Sequence, residues 1–186
     1  MRDQDINPHD KDPNANPHDK DPNAKARRLW DAQAPRYDRA MAVTERLWLG
    51  RDCREWICVR ATGDVLEVAV GTGRNLPCYP AGVRLTGVDL SPRMLAIARH
   101  RAADLGLAVD LREADAQALP FDAASFDTVV CVLSLCGIPD NRAAIGEMVR
   151  VLRPGGRLLL LDHVASTWWP VRAVQWAIER ITISSS

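Results

Sequence analysis

The sequence has no long apolar stretch, no excess of either charge, little lysine and few aromatic rings. Its continuous apolar runs are a handful of residues, such as Leu158 to Leu161, whereas a bilayer-spanning helix needs about 20. The N-terminus is polar, which argues against a secretory signal. The 24 basic and 24 acidic side chains cancel, so no broad basic field exists to hold a polyanion, and general nucleic-acid binding is disfavoured. Lysine occurs only at 11, 20 and 25, with arginine elsewhere, which bears on base composition more than on function. The five cysteines are odd in number and lack an export signal, so they read as reduced thiols of a cytoplasmic protein. What is present suffices for one domain: 186 residues, 47% of them apolar.

The first 24 residues differ from the rest. Asn7 to Ala15 reads NPHDKDPNA, and Asn16 to Ala24 repeats it without change. Prolines at 8, 13, 17 and 22 oppose a helix, and so polar a segment cannot offset its own ordering entropy. Residues 1–24 are therefore expected to form a solvated, disordered tail. His9 and His18 are isolated there, and no metal site is expected.

The domain proper is expected over 25–186. Helical spacing covers 26–42 and 45–59, with a break or kink at Pro35 and Thr44 capping the second helix. These are the expected lid helices, 25–60. From Asp64 to Val164 strands and helices alternate. Strands are expected at 65–69, 84–88, 108–112, 128–133 and 157–161. Ser91-Pro92 opens one helix, which Gly106 closes, and Asn141 opens another. A last amphipathic helix is expected near 169–181 within a C-terminal segment, 165–186. Apolar strands separated by helices predict an α/β fold, a doubly wound Rossmann-like parallel sheet of about five strands in the order 3-2-1-4-5.

In such a sheet a ligand binds beyond the carboxyl ends of the strands. After the first strand the chain reads Leu66-Glu67-Val68-Ala69-Val70-Gly71-Thr72-Gly73. The Gly-Lys-Ser/Thr of a phosphate loop is absent, and Leu76 stands where a dinucleotide fingerprint has its third glycine. Glu67 would repel an anion. Asp89 ends the second strand, where a carboxylate can accept both ribose hydroxyls. Asp115 follows the third, placed to accept from an adenine amine. Three carboxylates beside a glycine turn, with no phosphate-binding cation, fit adenosine bearing a cationic amino-acid group: S-adenosylmethionine.

LEVAVGTG, GVDLSPRML, ADAQALPFDAASFDTV and VLRPGGRLLLLDH, in this order, resemble the motifs of class I S-adenosylmethionine-dependent methyltransferases over about 26–164. The resemblance is to the branch holding ubiquinone/menaquinone C-methyltransferases and thiol methyltransferase-like proteins. It implies that Gly71, Thr72 and Gly73 line the methionine side and Asp89 binds ribose. It further implies that Met94 packs near adenine, that Asp115 and Ala116 hold the adenine edge, and that Leu133 faces the cofactor. Tyr37 matches the lid tyrosine that covers the cofactor. Ala69 stands where the family more often has glycine. Asp162 and His163, after the fifth strand, match a recurring acid–histidine pair, giving His163 as a base oriented by Asp162, or alternatively a structural hydrogen bond to a loop.

Three tryptophans (30, 48, 56) precede the first strand and three (168, 169, 176) follow the fifth. In this fold those flanks form the lid and acceptor wall, so the expected partner is an apolar or aromatic small molecule, a quinol, thiol or lipid-like acceptor; packing of added helices is the alternative use of these rings. The cysteine spacing does not match a zinc site, and no metal is expected. The resemblance implies an antiparallel strand pair after the fifth strand, which this sequence is expected to lack. An uncovered fifth strand is then expected, open to pairing in a homodimer. The competing readings are an inactive or regulatory cofactor-binding protein and an NAD-dependent oxidoreductase.

Overall fold

The computed structural model describes residues 21–45 and 52–162. Its elements are α1 (Pro22–Thr44), α2 (Cys53–Cys58), β1 (Asp64–Val68), β2 (Arg84–Asp89), α3 (Pro92–Asp104), β3 (Val109–Glu113), β4 (Phe126–Val132), α4 (Asn141–Val151) and β5 (Leu152–Leu161). All strand pairs are parallel, and the sheet order is β3-β2-β1-β4-β5, as the strand–helix alternation predicts.

Burial on both faces explains the continuous apolar runs. Along β1 and β4 successive side chains enter opposite cores. Val65, Val130 and Val132 pack with Ile57 of α2 and Leu95 of α3. Leu66, Val68, Val129 and Cys131 pack on the other face with Ala144, Met148 and Val151 of α4. Ser91 and Gly106 act as read: Ser91 Oγ accepts from the Met94 N–H, and Gly106 leaves α3 at φ 64°; α4 starts at Asn141 as expected, with Asp140 as its cap.

The N-terminal region differs from the sequence expectation in three places. The tail boundary at residue 24 falls inside α1, because Asp21 caps that helix by accepting from the Asn23 N–H and Pro22 occupies its first position. The helix also continues through Pro35 without a break. Thr44 ends α1 rather than capping the next helix, and α2 begins only after Asp52. At the other end Pro154-Gly155-Gly156 forms a bulge inside β5: Phe126 pairs with Leu152, and Thr128 with Arg157. Residues 1–20, Trp48, His163, the C-terminal helix and Trp168, Trp169 and Trp176 lie outside the described residues, as does whatever follows β5 at the sheet edge. Among the described residues, no helix is long and apolar enough to cross a membrane.

Candidate functional site

A cleft enclosing about 650 Å³ of space, part of it open to solvent, lies at the carboxyl ends of the strands. Ala69 and Gly71 after β1, Asp89 and Leu90 after β2, Ala114–Gln117 after β3 and Leu133–Ser134 after β4 form its walls, with Met94 from α3. Trp30 and Tyr37 of α1 stand over it, meeting edge to face at 6.3 Å.

One polar face of α1 ties this roof to the strand ends. Asn23 Nδ2 donates to Asp115 Oδ2 (2.7 Å), Arg27 Nε to the Leu90 carbonyl (3.2 Å), and Ser91 Oγ to Asp31 Oδ1 (2.5 Å). Two turns further on, Thr72 Oγ1 donates to Asp38 (2.6 Å), which Arg101 also engages. Burial alone would raise the Asp38 carboxyl, but its hydrogen bonds from Thr72 and Arg101 and the nearby Arg101 and Arg74 charges hold it below the usual range. The spacing of four, four and seven residues keeps these groups on one side of the helix.

Asp89 is buried and accepts two backbone N–H groups, from Gly71 (2.8 Å) and Ser91 (2.8 Å). Burial pushes its carboxyl above the ordinary range, and those two hydrogen bonds oppose the rise. Ala69 turns the chain out of β1 at φ 56°, the left-handed region that disfavours a Cβ. Leu133, after β4, has φ 55°.

A smaller polar chamber of about 240 Å³ adjoins the cleft and shares Tyr37, Ala69, Gly71 and Ser134 with it. Glu67 and Thr72 line this chamber with Arg54, Arg74 and Asn75. Glu67 is in register with Gly87, two residues short of Asp89 at the strand end, and Asn75 and Tyr79 cover it there, so it does not join Asp89 and Asp115 in the main cleft. It is 2% exposed and accepts from Asn75 Nδ2 (2.7 Å) and the Tyr79 hydroxyl (2.9 Å). Burial pushes its carboxyl up to about 7 despite both donors and the Arg54 charge. Arg54, itself buried, donates to Asn75 Oδ1 (2.8 Å) and to Glu45 (2.5 Å), and Arg74 donates to the other Glu45 oxygen (2.7 Å). The Arg74 Nε–H is buried and has no hydrogen-bond partner among the described residues.

Of the residues singled out in the sequence, Tyr37, Ala69, Gly71, Asp89, Met94, Asp115, Ala116 and Leu133 share the main cleft. Gly73 lines neither space: a Cβ there would meet Leu76 Cδ1 at 2.8 Å and Ala98 Cβ at 3.2 Å, so its role is close packing at φ 77°. Asp162 Oδ2 accepts from the Leu135 N–H (2.8 Å) and so braces the loop after β4; His163 lies outside the described residues. Arg54, Arg74, Asn75, Gln117 and Asn23 were not evident from the sequence. A charged residue in the short helix beside Trp56 and Ile57 is the one available signal, for Arg54. No group of side chains that could hold a metal occurs among the described residues, and none of the five cysteines is in a disulfide.

A family model described as a methyltransferase domain matches residues 66–160. The chain is 42% identical over 120 residues to a phosphatidylethanolamine N-methyltransferase of Cereibacter sphaeroides, covering 63% of this chain and 59% of that protein. It is 39% identical over 138 residues to a demethylmenaquinone methyltransferase of Thermus thermophilus, covering 69% and 61%. The chain thus spans about three fifths of the length of these curated relatives. Among solved structures it resembles the YcgJ protein of Bacillus subtilis, with TM-score 0.60, 29% identity and coverage of 68% and 55%. It also resembles a SAM-dependent methyltransferase of Thermotoga maritima, with TM-score 0.57, 29% identity and coverage of 72% and 59%. Sheet order, the carboxylates beyond β2 and β3 and these likenesses converge: the chain belongs to the class I S-adenosylmethionine-dependent methyltransferases.

Proposed function

We propose that this chain transfers a methyl group from S-adenosylmethionine to an apolar, lipid-like or quinol-type small molecule. The observation that carries the reading is the distribution of charge along the two joined spaces. Among the described residues the main cleft is lined by Asp89 and Asp115 and by no Lys, Arg or His, while Arg54 and Arg74 line the adjoining chamber with Glu67. Carboxylates accept hydroxyls and amines at one end, and guanidinium groups meet a carboxylate at the other. An adenosyl amino acid has that polarity, and a dinucleotide pyrophosphate does not. The oxidoreductase reading is further opposed by the segment after β1, which holds a three-residue 3-10 turn, Leu76–Cys78, instead of a helix whose N-terminus would receive phosphates.

In this reading Asp89 accepts from the ribose hydroxyls, Asp115 from the adenine amine, and Met94 and Leu133 pack near the base. The unpartnered Arg74 Nε–H and Arg54 face the amino-acid carboxylate, and Glu67 lies at that end. The bound cofactor supplies an activated electrophilic methyl group, so the protein's task is alignment and exclusion of water. Trp30 and Tyr37 close the cleft from above and give an aromatic wall. The names of the relatives in Cereibacter and Thermus, which act on a phospholipid and a quinone precursor, support an acceptor of that class. A base is required only if the acceptor arrives protonated.

Calorimetric titration with S-adenosylmethionine tests the cofactor assignment. Wild type is expected to bind, and Asp89→Ala to weaken binding by roughly tenfold or more, since a hydrogen bond to a charged group is worth about 1.5–3 kcal/mol. Absence of wild-type binding, or equal affinity of the variant, refutes it. Labelled-methyl transfer to quinols, phospholipids and thiols then tests the reaction; binding without turnover on any of them supports the regulatory alternative.

A further inference from the structure

We infer that Asn23, at the start of α1, is a positioning residue for recognition of the cofactor's base, acting through a closed hydrogen-bond ring with Asp115 and Gln117. This rests on the reading of Asp115 as the adenine acceptor. The ring is complete on three sides. Asn23 Nδ2 donates to Asp115 Oδ2 at 2.7 Å, and Gln117 Nε2 donates both to Asn23 Oδ1 (2.7 Å) and to Asp115 Oδ1 (2.9 Å). The Gln117 backbone N–H adds a second bond to Asp115 Oδ1 (2.9 Å), and Gln117 is held in turn by the Asp140 N–H on its Oε1 (2.9 Å).

A carboxylate offers about four lone-pair sites. Three donors occupy sites on Asp115, two on Oδ1 and one on Oδ2, which leaves one acceptor position on Oδ2. Asp115 and Gln117 line the cleft and Asn23 does not, so Asn23 engages the carboxylate from outside the cleft and leaves the remaining position for the ligand. The ring prevents rotation of the carboxylate and keeps it an acceptor. A fixed acceptor favours a base with an exocyclic amine over one with a carbonyl at the same position, because the carbonyl oxygen would face it unpaired.

In the second copy of the repeated nonapeptide, Asp-Pro-Asn supplies the cap of α1 (Asp21), its first residue (Pro22) and the ring member (Asn23). The roof helix is thereby joined to the base-reading end of the cleft, across 92 residues of sequence.

The test compares S-adenosylhomocysteine with its deaminated analogue, S-inosylhomocysteine, by calorimetry on the full chain. Wild type is expected to favour the adenosyl ligand by at least about tenfold. Asn23→Ala and Asn23→Asp are both expected to bring that ratio to within about threefold. The aspartate variant keeps the shape and suits a helix N-terminus, so it preserves the fold while removing the donor and placing a like charge against Asp115. A purely structural role for Asn23 would lower thermal stability and leave the ratio unmoved; an unchanged ratio in both variants overturns the proposal. A wild type that binds both ligands equally overturns it through Asp115, and a wild type that binds neither removes the cofactor reading itself.

Discussion

Replacing Glu67 with glutamine should stabilise the ligand-free fold at neutral and higher pH while leaving it unchanged in acid. The carboxyl sits in the core at 2% exposure, and among the described residues Asn75 and Tyr79 donate to it. Arg54 reaches it through Asn75, and Asp89 opposes it as a like charge. Burial outweighs the favourable partners, and the carboxyl titrates at about 7 in the fold against 4.5 for an ordinary glutamate. Between those two values the unfolded chain has released its proton and the folded chain still holds it. Stability is therefore complete below pH 4.5 and declines as the pH rises through about 7. At about 1.4 kcal/mol per pH unit the loss is about 3 kcal/mol. Glutamine carries no charge at any of these values, and the Tyr79 hydroxyl can turn to accept from its amide, so both partners are retained. Urea unfolding of wild type and Glu67→Gln from pH 4.5 to 8 measures the difference directly. The two should coincide near pH 4.5, and the variant should be more stable by about 3 kcal/mol at pH 8. A constant offset across the range would refute the reasoning, because it would show that burial does not set the protonation of Glu67.

Ala69→Gly should stabilise the protein by about 0.5–1 kcal/mol in denaturant titration, since relief of the left-handed φ exceeds the entropy cost of glycine. A destabilised variant would show that the methyl group is packed to advantage. Gly137→Ala should cost about 1–3 kcal/mol and weaken cofactor binding, because the added Cβ would collide with the indole of Trp30 in the cleft roof. Binding unchanged by calorimetry would mean that Trp30 does not shape the site. Asp162→Asn should retain methyl transfer within about threefold, because the amide oxygen can still accept from the Leu135 N–H, whereas loss of the order of a hundredfold in turnover would assign Asp162 a role in proton transfer.

Local signals in the chain carried the fold and most of the main cleft. Strand order followed from the alternation of apolar runs with capped helices, and each cap at Ser91 and Asp140 is completed by residues two or three positions away. Asp89 and Asp115 were legible because the last residues of adjacent parallel strands necessarily gather at one edge. Glu67 was grouped with them although it sits two register positions further from the strand ends than Asp89, where Asn75 and Tyr79 bury it. Asp21 and Pro22 carry a valid helix-start signal, but the repeat that contains them masked it.

The sequence by itself thus determined what depends on neighbours along the chain: element type, caps, the turn beyond β1 and the carboxylates at strand ends. Only the tertiary structure decided what depends on distant approaches. Asn23 meets Asp115, Asp38 meets Thr72 and Arg101, and Arg54 meets Asn75 only because α1 and α2 pack against the finished sheet. Periodicity identifies which face of a helix is polar, but it does not say what that face will meet. The partition of charge between the two chambers therefore became visible only in three dimensions.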